Sequence, residues 1–208
     1  RRDEQGRASE KTRPCARGMN LAVFCSGFGS NFQAIVDAIR NKKLNARVAL
    51  MVCDNPKAYA LKRAQKENIP IVLINPKLFN TREDYEKVII ALLKNQDVDL
   101  VALAGFMRIL TPHLISAYKN KIVNIHPSYL PAFKGAHAIR GAFEAKVKET
   151  GVTVHVVTKD VDAGPILLQK KVKIFKNDTL KTLEARIHKV EHELYPKAIN
   201  RFINRRSK

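Results

Sequence analysis

Between positions 21 and 125 the apolar residues fall into two alternating patterns. Short, nearly unbroken runs, "LAVFCS" (21–26), "ARVALMVC" (46–53), "PIVLI" (70–74), "VDLVALAG" (98–105) and "KIVNI" (121–125), read as buried strands. The stretches between them have helical spacing. "SNFQAIVDAIRNKKL" sets Phe32, Ile35 and Ile39 on one face, and "AYALKRAQKENI" forms a second helix. "TREDYEKVIIALLKNQ" is a third, capped at Thr81, and "TPHLISAYKN" is a short fourth with Pro112 in its first turn. Ser30 and Gln33 have the S-x-x-Q spacing of a capping box, which starts the first helix at the turn formed by Gly27 and Gly29. Such alternation predicts an α/β fold with a doubly wound, mainly parallel sheet.

After Pro131 the pattern changes. A helix over 137–148 leads into "VTVHVVT" (152–158), whose apolar and polar residues alternate, and then "PILLQKKVKIF" (165–175), with "DVDAG" between them. Two strands joined so closely predict an antiparallel edge. A long final helix from Thr179 carries Leu180, Leu183, Ile187, Val190 and Leu194 along one stripe, which predicts packing on the sheet rather than a coiled coil.

With 208 residues the chain has the size of one domain, expected over 19–203. Residues 1–18 are polar and aperiodic and are expected to form a disordered tail, with Met19 an alternative start and 204–208 a basic tail. No uncharged apolar run is long enough to span a bilayer, and the first residues lack the apolar stretch of a signal peptide. Cys15, Cys25 and Cys53 match neither a zinc spacing nor a disulfide framework, so a reducing, cytoplasmic setting is expected. The formal net charge of +19 would suit nucleic acid. Yet its lysines and arginines are spread along the chain without a basic block or interleaved aromatics, the pattern of a solvated surface.

Three places carry candidate chemistry. "GFGSN" (27–31) joins a strand to a helix, where N–H groups and the helix dipole favour an anion. Phe32 rules out the dinucleotide fingerprint, and no GK[ST] follows, which leaves a tight turn or a site for one phosphate. "HKVEH" (188–192) has the H-x-x-E-H zincin spacing, but Glu193, the one carboxylate side chain after it, lies on the same helix, so no metal is expected. Glu191 would instead accept from sugar hydroxyls. In "VNIHPSYLP" (123–131), Asn124 and His126 point to one side at the end of a strand, either as satisfied core groups or as groups facing a ligand. Asp162 could supply a carboxylate that orients the imidazole and raises its pKa. His155, on the alternating strand, is ambiguous. An amide, an imidazole and a carboxylate meet the needs of acyl transfer through a tetrahedral intermediate, and the lack of a G-x-S-x-G elbow favours direct transfer.

Taken in order, "SGFGSNFQAI", "LAGFMRIL", "NIHPSYLPAFKGAHA", "TVHVV", "DVDAGPILLQ" and "IHKVEHELYP" resemble the glycinamide ribonucleotide formyltransferase family, from about Asn20 to Phe202. The resemblance implies a Rossmann-like formyltransferase fold and formyl transfer from 10-formyltetrahydrofolate to the amine of glycinamide ribonucleotide in purine synthesis, without a metal. It implies that Asn124, His126 and Asp162 are catalytic, and that Gly29, Ser30 and Asn31 take the phosphate, with His188 and Glu191 on the ribonucleotide side. Folate contacts would fall on Arg82, on Met107, Arg108, Ile109 and Leu110, and on Thr158, Lys159, Asp160 and Val161. It further implies a monomer or homodimer whose partners are these small molecules, not nucleic acid or membrane. Methionyl-tRNA formyltransferase resembles the same domain but adds a C-terminal one; this sequence ends six residues after Phe202, which favours the glycinamide acceptor as the expectation. The alternatives are formyltetrahydrofolate deformylase, which has a second His where this chain has Pro127, and a basic nucleic-acid-binding module.

Overall fold

The computed structural model describes residues 18–206. Strands β1 (Met19–Cys25), β2 (Ala46–Cys53), β3 (Ile71–Leu73), β4 (Leu100–Leu103), β5 (Ile122–His126), β6 (Glu149–Val156) and β7 (Ile166–Lys173) form one sheet in the order β3-β2-β1-β4-β5-β6-β7. The pairings from β3 to β5 are parallel, while β6 runs antiparallel to both β5 and β7. This is the predicted doubly wound sheet with an antiparallel edge. The chain winds outward from β1 to β3, then restarts beside β1 at β4. That reversal makes the β1–β4 junction the switch point at which open α/β sheets bind ligands.

Helices α1 (Ser30–Arg40), α2 (Tyr59–Lys66), α3 (Arg82–Asn95), α4 (Pro112–Ala117), α5 (Ala138–Glu144) and α6 (Leu180–Arg206) complete the fold. Alternate residues of β1 feed two cores. Leu21, Val23 and Cys25 pack with α1 and α6, and Ala22 and Phe24 pack with α3 and α4. Leu183, Ile187 and Leu194 of the predicted stripe are buried in the first core, as α6 packs on the sheet. Tyr195, fully buried on α6, brings its hydroxyl to 2.9 Å from the Leu103 carbonyl and 3.1 Å from that of Val123, tying α6 to β4 and β5.

Three expectations need adjusting. The capping box does not form: the N-cap of α1 is Gly29, in a left-handed conformation, and Ser30 already lies in the first turn. Gln33 instead donates to Asp37 and Glu67. The spacing was right, but the turn needed a residue free to adopt φ 74° one position earlier. The helix expected over 137–148 is shorter, since β6 begins at Glu149, pairing with Lys173. α6 continues through Asn204, Arg205 and Arg206, which the charge pattern had set in a tail. Cys25 and Cys53 are buried free thiols, whereas Cys15, residues 1–17 of the expected disordered tail 1–18, and Ser207–Lys208 lie outside the described residues.

Candidate active site

β5 ends at His126 because Pro127 has no N–H to extend the ladder. Val123 and Ile125 turn into the α1–α6 core, so Asn124 and His126 face the other side of the sheet. Across the antiparallel pairing, Asn124 sits opposite His155 and His126 opposite Thr153. The loop between β6 and β7 then brings Asp162 onto this face. Its carboxylate lies 3.3 Å from His126 Nδ1, 3.4 Å from His155 Nε2 and 3.5 Å from Asn124 Nδ2, and it accepts from the Gly135 N–H at 2.9 Å. The three residues singled out in sequence therefore meet at one buried carboxylate, with His155 as a fourth member.

Burial alone would raise the Asp162 pKa. The hydrogen bond from His155, the Gly135 N–H and the nearby charge of His126 and His155 outweigh it and hold the group at about 2. The carboxylate is thus ionised at neutral pH. His126 Nε2 lies 2.8 Å from the Phe133 carbonyl. Both ring nitrogens of His126 face oxygen acceptors, which anchors the ring from its two sides. The Asn124 amide is 3.3 Å from His155 Nε2 as well as 3.5 Å from Asp162, both long contacts, so it retains donor capacity for another oxygen. His155 Nδ1 lies 3.0 Å from the Val156 carbonyl, which fixes the ring. The sequence held a signal for His155: Thr153 and His155 are polar at i, i+2 between Val152, Val154 and Val156, the pattern of Asn124 and His126 on the strand beside it.

A second cluster forms at the β1–α1 turn. The carbonyls of Ser26, Gly27 and Gly29 are turned inward, accepting from Asn55 Nδ2 at 3.0 Å, from the Ala60 N–H at 3.1 Å and from the Gln33 N–H at 3.0 Å. The N–H groups of Gly29, Ser30 and Asn31 donate to no backbone or side-chain acceptor among the described residues, as at any helix start, and so are available to an anion. Asn31 Nδ2 donates to Glu191 at 3.2 Å, and His188 Nδ1 is 2.8 Å from the same carboxylate oxygen. That hydrogen bond raises the His188 pKa, whereas burial lowers that of His192. Asn31 Oδ1 and His192 Nε2 are buried with no partner among the described residues. These orphaned atoms suit ligand hydroxyls, and His192 was not singled out in sequence except in the zincin spacing. A Cβ on Gly29 would stand 2.7 Å from the Ala60 Cβ, and Gly29 has φ +74°. Gly29→Ala is expected to lower stability by about 1–3 kcal/mol and to weaken anion binding at the turn, as checked by urea unfolding and phosphate titration.

The remaining predicted contacts divide into two places. Arg82, at the start of α3, donates to the Ile109 carbonyl. With Arg108, Ile109 and Leu110 it lines a cleft of about 300 Å³ that also includes Phe106 and Tyr85. Arg108 pairs with Asp54 at 2.6 Å, while the Met107 side chain is exposed and its N–H donates to Ser26 Oγ at 2.9 Å. Thr158, Lys159, Asp160 and Val161 form the loop leading to Asp162, with the Thr158 hydroxyl donating to the Asp160 carbonyl at 3.3 Å. The cleft suits a ligand with an apolar body and an acidic end: aromatic and aliphatic walls, and Arg82 at the rim.

Residues 19–199 match the family described as formyl transferase. The phosphoribosylglycinamide formyltransferase of Bacillus subtilis is 46% identical over 183 residues, 88% of this chain and 94% of that protein. Among solved structures, glycinamide ribonucleotide transformylase 1 from Geobacillus kaustophilus is 51% identical with a TM-score of 0.86, covering 88% of this chain and 97% of that one. Phosphoribosylglycinamide formyltransferase from Bacillus halodurans is 43% identical with a TM-score of 0.87, covering 88% and 95%.

Proposed function

We propose that this chain, which belongs to the formyl transferase family, transfers the formyl group of 10-formyltetrahydrofolate to the amine of glycinamide ribonucleotide, a step of purine biosynthesis. The observation that carries the reading is the convergence of Asn124, His126 and His155 on the ionised Asp162. The formyl-folate is a co-substrate of the family. Its donor-side contacts are assigned to the cleft at Arg82, Met107, Arg108, Ile109 and Leu110 and to the loop from Thr158 to Val161. The acceptor's phosphate is assigned to Gly29, Ser30 and Asn31, and its ribose side to Glu191 and His188.

The mechanism follows from the chain's own groups. Gly29, Ser30 and Asn31 hold the phosphate and so aim the neutral acceptor amine. As the amine nitrogen bonds to the formyl carbon, negative charge develops on the formyl oxygen. Asn124 meets that charge with an amide N–H. His126 meets it with the Nε2–H that otherwise reaches the Phe133 carbonyl, whose 2.8 Å contact marks where an acceptor oxygen fits. Asp162 keeps the His126 ring paired and oriented through Nδ1. The proton lost by the acceptor nitrogen then reaches the departing tetrahydrofolate nitrogen as the C–N bond breaks, so that atoms and charge balance. We assign small molecules as the chain's partners and the cytoplasm as the place of the reaction.

A single assay tests this reading. With both substrates, tetrahydrofolate and formylated ribonucleotide are expected in equal amounts. Folate product accompanied by formate, with the acceptor unchanged, would instead mark a hydrolase.

A further inference from the structure

One contact at the anion-binding turn is made by a charged side chain that the reaction above does not use. Arg63, on α2, donates through Nε to the Phe28 carbonyl at 3.0 Å, and its Nη1 lies 3.5 Å from Gln33 Oε1. Its guanidinium lies 4.6 Å from the Phe28 ring centroid and 5.1 Å from that of Tyr59. Those rings stack on each other at 5.1 Å with planes 13° apart, although Phe28 is 64% and Tyr59 47% exposed. Two exposed aromatics thus act as a plate that fixes the position of one cation.

We propose that Arg63 is a positioning residue for the acceptor's phosphate, acting through the Phe28–Gly29 peptide; this rests on the acceptor assignment above. In a planar trans peptide the C=O and N–H point in opposite directions. Pinning the Phe28 oxygen from behind therefore fixes where the Gly29 N–H points, which is toward the anion at the head of α1. The neighbouring carbonyls of Ser26, Gly27 and Gly29 are held by neutral donors, Asn55, Ala60 and Gln33. The Phe28 carbonyl alone of this run is held by a full charge, which polarises the peptide and strengthens its N–H as a donor. Arg63 also places a positive charge one peptide unit from the phosphate without occupying the space that the phosphate needs. Guanidinium planarity suits the role, since the same group stacks on Phe28 and bonds to its carbonyl.

The test compares wild type, Arg63→Ala and Arg63→Lys with glycinamide ribonucleotide and with the same acceptor lacking its 5′-phosphate. For the phosphorylated acceptor, Arg63→Ala is expected to raise KM about tenfold or more, with kcat and the folate KM unchanged. Arg63→Lys should recover part of the loss. For the dephosphorylated acceptor, wild type and Arg63→Ala should share one kcat/KM. Equal losses with both acceptors would make Arg63 a general scaffold residue and overturn the proposal. Inorganic phosphate binding, read by titration calorimetry, requires no turnover and should weaken about tenfold in Arg63→Ala. Unchanged phosphate affinity overturns the proposal even if wild type formylates neither acceptor, an outcome that would separately remove the functional reading.

Discussion

Replacing Asn124 with alanine is expected to lower kcat for formyl transfer about 10²–10³-fold, the loss of about 2.7–4 kcal/mol that follows removal of one preorganised oxyanion donor. The amide contacts His155 and Asp162 only at 3.3 and 3.5 Å, so its donor capacity is not consumed by the protein. Its benefit arises as charge builds on the formyl oxygen, and KM for either substrate should change far less than kcat. The fold should survive, because Asn124 contributes to the sheet through its backbone, in register with Leu103 and His155. Steady-state kinetics with a circular-dichroism check of folding decide the matter. A folded Asn124→Ala protein that retains near-normal kcat would exclude the amide from charge stabilisation.

That prediction rests on residues legible in the sequence, and the reason is physical. Asn124 and His126 interrupt an apolar strand, and a polar pair at i, i+2 in a buried strand is costly unless something uses it. The parallel core was legible for a related reason: strands covered on both faces by helices leave unbroken apolar runs. The antiparallel edge was legible in its alternation, but its register was not. His155 takes its place beside Asp162 only because it pairs directly with Asn124, a non-local fact that periodicity cannot supply.

The glycine turn before α1 shows the opposite limit. S-x-x-Q spacing pointed to a side-chain cap, yet Gly29 does the capping because only a left-handed residue lets the chain reverse against α2. The carbonyls of 26–28 depend on Asn55, Ala60 and Arg63, which lie about 30 residues away in sequence, with nothing local to mark them. The proposed site was legible where a residue violated its local pattern. It was hidden where a residue such as Arg63 fits its helix and contacts the backbone of another segment.

Asp162→Asn should produce the other large effect, a fall in kcat of about 10²–10⁴-fold, the range associated with a positioned acid–base group. The carboxylate is an acceptor surrounded by donors: the Gly135 N–H, the two histidine rings and the Asn124 amide. An amide there turns an NH₂ toward one or more of these donors, so His126 must rotate or surrender the proton it directs at Asp162. Stability gives an independent readout. The Asp162 pKa, about 2 in the folded protein, lies below the ~3.9 of an unperturbed aspartate, so folding favours the ionised form. The resulting stabilisation, about 2–3 kcal/mol, is fully present above pH ~4 and is lost as pH falls through about 2. Urea unfolding should therefore show wild type more stable than Asp162→Asn at pH 7, with the gap closing as pH approaches 2. A constant gap across that range would mean that the carboxylate is not held ionised by its neighbours. A constant gap together with a normal kcat would remove Asp162 from both the fold's electrostatics and the reaction.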